Sequence, residues 1–360
     1  MKSDLRHGQT RGHLCGLLAA ALFGLSPPLC KRLLGEVSPL VLSGCLYLSG
    51  GIALSLYLSG RRILRSTEQE SPLRWQDAPL LLGITLFGGV LGPLLMLMGL
   101  ARLSGLVGSL LLNLEAPMTM ALAVLVFREH LSRTEWGAAA LIVAGAGTLR
   151  LESGPGASSG LGILCIAAAC LCWAIDNNLT QRLSLRDPVR VARWKTLGAG
   201  STSLILGLLL DGSMPRRELG AALFVMGALS YGLSLVLDNY ALRLIGAARE
   251  AALFSTAPFL GGVASLLVLR EHPTGWHALG AGLMLTGVIV SLRARHSHRH
   301  RHERLEHEHA HVHDEHHQHV HGPSDPPLDP FGAPHSHPHS HTAIEHEHPH
   351  ASDLHHRHKH

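Results

Sequence analysis

The stretch LLLGITLFGGVLGPLLMLMGLA, Leu80–Ala101, contains no charged side chain. At about 1.5 Å of rise per helical residue it is long enough to cross a hydrocarbon core of about 30 Å. SLILGLLL (Ser203–Leu210), GALSYGLSLVL (Gly227–Leu237) and GLMLTGVIVSL (Gly282–Leu292) fall in further runs of the same kind. Mean hydropathy over the whole chain is +0.21 even though the C-terminal segment is strongly polar. The remainder is thus more apolar than a soluble domain. The chain reads as an all-α, multi-pass integral membrane protein whose first partner is the lipid bilayer.

Apolar runs between charged or Gly/Pro-rich breaks give ten spans, at 13–31, 38–58, 78–100, 104–127, 135–150, 160–181, 189–210, 219–241, 246–269 and 275–292. The fifth and tenth are short and rich in Ala and Gly (GAAALIVAGAG, GAGLMLTG). Such a composition lets helix backbones approach closely, so each is expected to pack tightly on a neighbour. The N-terminal run ends in SPPLCKR without a small-residue cleavage site, and the first helix is expected to be retained. The six cysteines all sit in apolar stretches, without the paired spacing of a zinc site, and read as small core- or lipid-facing residues.

An internal repeat organises these spans. GHLCGLLAAALFGLSPPLCKRL from Gly12 aligns with GILCIAAACLCWAIDNNLTQRL from Gly162, matching Cys15 to Cys165, Phe23 to Trp173 and Arg32 to Arg182. The match continues through SP at 38–39 and DP at 187–188, EAP at 115–117 and TAP at 256–258, and REH at 128–130 and 270–272. Each half holds five spans. Because five is odd, the second half must cross the bilayer in the opposite sense, as an inverted repeat. The expected domains are an N-terminal segment (1–12), two five-helix repeats (13–150 and 160–292) and a tail (293–360).

Lys and Arg set the orientation. With the N-terminus inside, inner segments hold Lys2, Arg6, Arg11, Arg61, Arg62, Arg65, Arg74, Arg128, Arg133, Arg182, Arg186, Arg190 and Arg243. The outer ones hold only Lys31, Arg32, Arg102, Arg150, Arg216, Arg217 and Arg270. The positive-inside rule then predicts cytoplasmic N- and C-termini in a bacterial-type cell or inner membrane.

All but five of the 28 histidines follow residue 295. They stand among Pro, Ser, Asp and Glu, a composition that cannot build a core, so the tail is expected to be disordered. Alternation marks His307, His309, His311 and His313, then His335, His337, His339 and His341, then His346, His348 and His350. Imidazole without thiolate suits Zn, Ni, Co or Cu(II), so the tail is a candidate binder of divalent transition metal. A cloning tag would be an uninterrupted run, which this is not. Charging near pH 6 is unavoidable but need not be used.

Two five-helix halves, each closing its fourth span in an AP segment followed by Glu (EAPMTMALAVLVFREH, TAPFLGGVASLLVLREH) and then a Gly/Ala-rich short helix, resemble the drug/metabolite transporter superfamily, EamA type. The resemblance covers about residues 12–292. It implies a central substrate cavity between the halves, alternating access and no required cofactor.

Glu115 lies in the fourth span, in LLLNLEAP. A carboxylate at that depth should face a cavity or a partner rather than lipid. It suits proton coupling, or else it satisfies backbone freed by Pro117. Its repeat partner is Thr256, which can do only the second. The second half carries a further polar set: Asp176, Asn177 and Asn178 in span six, Arg193 and Lys195 in span seven, Asp238 and Asn239 in span eight, Arg249 and Glu250 in span nine. Asp176 and Asp238 read as cavity residues and Arg193 and Lys195 as snorkelling to the interface. Glu129 and Glu271, in the two REH motifs, read as capping or bracing the helix that follows.

No GxxxxGK[ST] loop is present, which argues against an ATP-driven pump. The formal HExxH matches at 307–311 and 346–350 are what so dense a histidine tract produces by chance, and no nucleophile–base set is evident. An enzyme and a nucleic-acid partner are not expected. A homodimer is compatible with the sequence. Three readings follow: a secondary transporter of a small organic metabolite with a metal-responsive tail, a Ni, Co or Zn exporter whose tail collects metal, or a membrane-anchored metal buffer or sensor.

Overall fold

Proline decides where many of the helices begin. The computed structural model describes residues 2–63, 71–127, 132–152, 157–183, 186–210, 214–245, 247–293, 296–301, 305–311, 335–341 and 345–350. Side chains at 2–9, 123, 126–127, 152, 157–158, 247–249, 252 and after 293 are left aside. The helices are α1 (Lys2–Gly24), α2 (Ser26–Leu33), α3 (Pro39–Ile63), α4 (Ala78–Ile84), α5 (Gly92–Leu100), α6 (Gly105–Leu111), α7 (Glu115–Phe127), α8 (Arg133–Glu152), α9 (Ala157–Leu183), α10 (Pro188–Leu210), α11 (Gly220–Met226), α12 (Ser234–Ile245), α13 (Ala247–Phe254), α14 (Ala257–Val268) and α15 (Gly275–Arg293). Pro39 and Pro188 open their helices after non-helical residues, where the missing N–H would have had no helical acceptor, and Pro27, Pro79, Pro93, Pro117 and Pro258 sit in first turns that follow on closely from another helical segment. Two π-helical segments, Thr85–Leu91 and Gly227–Leu233, join α4 to α5 and α11 to α12 at matching places in the two halves.

Among the described residues, seven helical stretches are long and apolar enough to cross a membrane: Thr10–Leu33, Pro39–Ile63, Trp75–Leu100, Gly105–Leu122, Ser159–Leu183, Arg217–Ile245 and Gly275–Arg293. Large apolar side chains remain exposed along them and beyond, among them Leu82, Leu125, Leu209 and Leu267. The protein is a multi-pass integral membrane protein, and such side chains belong against lipid. Three of the ten expected spans fall short of that length and composition. α8 carries charge at both ends, α10 has a polar first third with Arg190, Arg193 and Lys195, and the ninth is broken at Ser255–Thr256 into α13 and α14.

The principal packings join first-half helices to second-half helices: α1 to α12, α3 to α10, α5 to α9, α6 to α14 and α8 to α15. α3 and α10 meet at backbone distance, because a Cβ on Gly44 would lie 2.5 Å from the Leu204 nitrogen and one on Gly200 would strike the backbone of Leu48. The Ala/Gly-rich α8 and α15 pack on each other in the same way, with Gly145 against the carbonyl of Gly280 and Gly287 against that of Ala138. One large core fills the space between, centred on Leu42, Leu46, Met96, Leu97, Ile166 and Met284.

Glu271 does not cap the helix that follows it. Arg270, just past the end of α14, adopts φ 54°, a left-handed turn. The turn carries the Glu271 carboxylate to the N-terminus of α6, where Oε1 and Oε2 accept from the Gly105 and Leu106 amides, each at 2.7 Å. A carboxylate there meets the orphan N–H groups and the positive end of the helix dipole. Glu129 lies outside the described residues.

In the tail, four short strands, β1 (His296–Arg301), β2 (Leu305–His311), β3 (His335–His341) and β4 (Glu345–His350), pair antiparallel as β1 with β4 and β2 with β3. An alternating histidine pattern has the two-residue period of a strand.

The glycine contacts give the first prediction. Gly200→Leu should cost more than the ~1–3 kcal/mol typical of overpacking, because backbone rather than a movable side chain stands in the way. Gly147, with nothing within 4 Å of its Cβ position, should accept Ala without loss. Yield of monodisperse protein and its melting temperature in detergent measure both.

Candidate functional site

α9 exposes Trp173, Asp176, Asn177 and Thr180 on one face, since residues three and four apart share a side of a helix. That face, with residues of α1, α3, α7, α10, α12 and α13, lines a cavity enclosing, with its mouth, about 1030 Å³ of empty space. Its walls are partly aromatic. Phe23 meets Trp173, Tyr231 and Phe254 at ring-centroid distances of 5.8, 6.2 and 5.3 Å, and Tyr47 lies 4.8 Å from Tyr231. The Tyr47 hydroxyl and the Trp173 Nε1–H both donate to the carbonyl of Gly88, each at 3.1 Å, inside the first π-helical segment. Irregular turns of this kind free a carbonyl from the helix ladder and often sit at functional sites.

The charged residues come from the second half and from α7. Asp176, 5 % exposed, accepts from the Lys195 ammonium at 2.5 Å and from the Thr180 hydroxyl at 3.2 Å. Gly88 packs on that carboxylate so closely that a Cβ there would overlap it. Asn177 donates through Nδ2 to Glu115 Oε1 at 2.7 Å. Asp238, Asn239 and Glu250 also line the cavity, and Asn239 Nδ2 reaches the Pro188 carbonyl at 3.5 Å.

Six of the eight sequence-read candidates therefore line one cavity: Glu115, Asp176, Asn177, Asp238, Asn239 and Glu250. Asn178 turns to its own helix and donates to Ala174 at 2.8 Å. The side chains of Arg249 and of the tail histidines are left aside, and His313 lies outside the described residues. Lys195 departs from the reading as a snorkelling residue. It is 6 % exposed and tied to Asp176, because about two turns into α10 its ammonium meets a carboxylate on the neighbouring α9. Sequence reasoning also passed over the rings of Tyr47, Tyr231 and Phe254. The repeat pairing of Phe23 with Trp173 was the only signal toward them.

The EamA-like transporter family model matches this chain twice, over residues 10–150 and 160–293. The chain belongs to the EamA-like transporter family. A transporter of undefined substrate from Methanothermobacter thermautotrophicus is 30 % identical over 78 % of this chain and 85 % of its own length. A probable amino-acid metabolite efflux pump from Salmonella typhimurium is 26 % identical over 77 % of this chain and 93 % of its own. A solved crystal structure, 18 % identical, superposes with a TM-score of 0.61 over 78 % of this chain and 95 % of that one, a likeness of fold alone. Membership brings the cavity into a family that moves solutes across membranes.

The ion pair gives the second prediction. Lys195→Met leaves a buried Asp176 charge without its partner and should destabilise the protein by about 3–5 kcal/mol. Adding Asp176→Asn should recover most of that, since removing both charges removes the cost of burying them. Thermal unfolding of the two variants in detergent measures the difference.

Proposed function

We propose that this protein is a secondary-active exporter of a small organic metabolite, built as ten transmembrane helices in two inverted five-helix repeats with cytoplasmic termini. The observation that carries the reading is the cavity. It is lined from both halves, is partly aromatic, and holds buried ionisable groups, with Asp176 engaged by Lys195 and Glu115 by Asn177. The reciprocal packing supports the inversion: α1 meets α12 as α9 meets α5, and the contact of Gly145 with Gly280 has its counterpart in that of Gly287 with Ala138. A two-fold exchange of halves is how inverted repeats place one site near the midplane and rock about it. Aromatic walls favour an organic cargo over a bare transition-metal ion, whose path would need converging imidazole or thiolate ligands. The relatives' names support transport over catalysis, and the Salmonella relative supports export.

In this mechanism the Glu271 cap on α6 and the Lys31 ammonium on the Leu100 carbonyl, at 2.7 Å, hold one end of the bundle closed. Rocking of one half on the other would release them while an equivalent closure forms at the opposite end. Glu115 is the coupling candidate, with Asn177 orienting its carboxylate. Glu115→Gln keeps the hydrogen-bonding shape but cannot titrate. It should reduce the proton-gradient-driven part of transport by about tenfold, within the ~5–150-fold range of ordinary coupling, while exchange without a gradient persists. Flux from proteoliposomes with and without an imposed gradient measures it, and an unchanged gradient dependence would remove Glu115 from coupling.

The histidine tail is proposed as a cytoplasmic binder of Zn, Ni or Co that regulates the transporter and lies outside the transport path. It follows two complete family matches, and its ligands are imidazoles alone. Truncation after Arg295 should leave a folded transporter and abolish most Zn or Ni binding by the full chain. Because protons compete for neutral imidazole, binding by the intact protein should weaken as pH falls below about 6.5. Calorimetric titration of full-length and truncated protein with Zn and Ni checks both, and equal binding by the two would sink the proposal.

A further inference from the structure

The cavity's polar groups are unevenly used. On the aromatic wall, Tyr47 and Trp173 spend their donors on the Gly88 carbonyl and Tyr231 hydrogen-bonds Ser26 at 3.0 Å, while Phe23 and Phe254 have none. What that wall offers a cargo is ring carbon and π faces, whose quadrupole is negative. Among the described residues, the ionisable side chains lining the cavity are Glu115, Asp176, Asp238 and Glu250 against the single cation Lys195, which Asp176 already holds. Glu115 Oε1 takes the Asn177 amide. Asp238 and Glu250 line the same cavity from α12 and α13. Glu250 is 4 % exposed, and its Oε1 has no hydrogen-bond partner among the described residues. A carboxylate oxygen buried without a donor is costly, and the cost is met if the cargo brings the donor.

Resting on the transport reading, we propose that the cavity selects a small organic cation, an aryl- or alkyl-ammonium whose charged nitrogen sits at Glu250 and Asp238 and whose apolar body lies on the rings of Phe254 and Phe23. An ammonium carries donors and no acceptor, which matches a free carboxylate oxygen. It is also attracted to ring faces, which an anion is not. The geometry sets the size. Glu250 and Phe254 are one helical turn apart on α13, about 5–6 Å, so a nitrogen at the first leaves a body of one ring over the second. An anion entering the same space would meet, among the described residues, four acidic groups against the one cation Lys195, which Asp176 already holds.

The test uses full-length protein in phosphatidylcholine vesicles and three probes of nearly equal shape: phenethylammonium, phenylacetate and 2-phenylethanol. Equilibrium binding, read by calorimetry, should favour the ammonium over the other two by at least about tenfold. Glu250→Gln should weaken ammonium binding by roughly thirtyfold or more, as when one member of a buried charge pair is lost, and leave 2-phenylethanol unaffected. If Glu250→Gln does not yield monodisperse protein, the wild-type probe series decides alone. Equal or tighter binding of phenylacetate would overturn the proposal, as would a folded Glu250→Gln that binds the ammonium unchanged. Vesicles that move neutral or anionic metabolites but bind no ammonium would overturn the cargo class and leave transport standing. Ammonium binding with no flux of any solute would uphold the site and remove the transport reading.

Discussion

In hydrocarbon no water is at hand to satisfy a polar group, and this constraint orders the whole molecule. Backbone groups are met inside helices, and where a helix loosens another group steps in. The Gly88 carbonyl in the first π-helical segment receives both Tyr47 and Trp173. The amides at the start of α6 receive Glu271 from the other half of the chain. Charged side chains obey the same rule, with Lys195 against Asp176 as its strictest case. Among the described residues some buried polar atoms lack a partner, Arg193 Nε and Asn113 Oδ1 among them, and the Glu250 Oε1 belongs to a residue that lines the cavity.

Packing without a hydrophobic driving force demands close approach, and small residues supply it. The α3–α10 and α8–α15 contacts bring backbones together at glycine. Those seams lie between the halves, so the elements that hold the protein together are the ones that would have to move against each other in transport. The cavity sits between them, where α9 and α10 bring their polar first-half-unlike residues against α7, α12 and α13. The asymmetry has a physical reading. Ser26 and its neighbouring prolines stand where the second half has Asp176 and the two asparagines, and Ser26 serves the packing of Tyr231 rather than a charge.

Much of the site was legible because charge in an apolar run is conspicuous: Glu115, Asp176, Asp238 and Glu250 stand out in a chain where their neighbours are Leu, Ala and Gly. Lys195 was misread for a reason that generalises. Its depth from the helix end fits either an interface or a cavity, and only the position of a carboxylate on a different helix decides. Asn178, adjacent to two cavity residues, was equally conspicuous in sequence and points back to its own helix. The rings of Tyr47, Tyr231 and Phe254 look like ordinary core residues until their neighbours are placed.

The sequence by itself determined that the chain is a helical membrane protein with two related halves, because a run such as Leu80–Ala101 has no other stable state in a bilayer and because the repeat is written in matched residues. It also determined which carboxylates would be buried, since burial there follows from depth in an apolar run. Only the tertiary structure decided which of them share a cavity, which cation is spent on Asp176, that Glu271 caps a helix in the other half, and that Glu250 Oε1 is buried without a hydrogen-bond partner among the described residues. Those outcomes depend on contacts between residues 19 to 166 positions apart. Local periodicity carries no information about such distances, because the partner is chosen by the packing of whole helices.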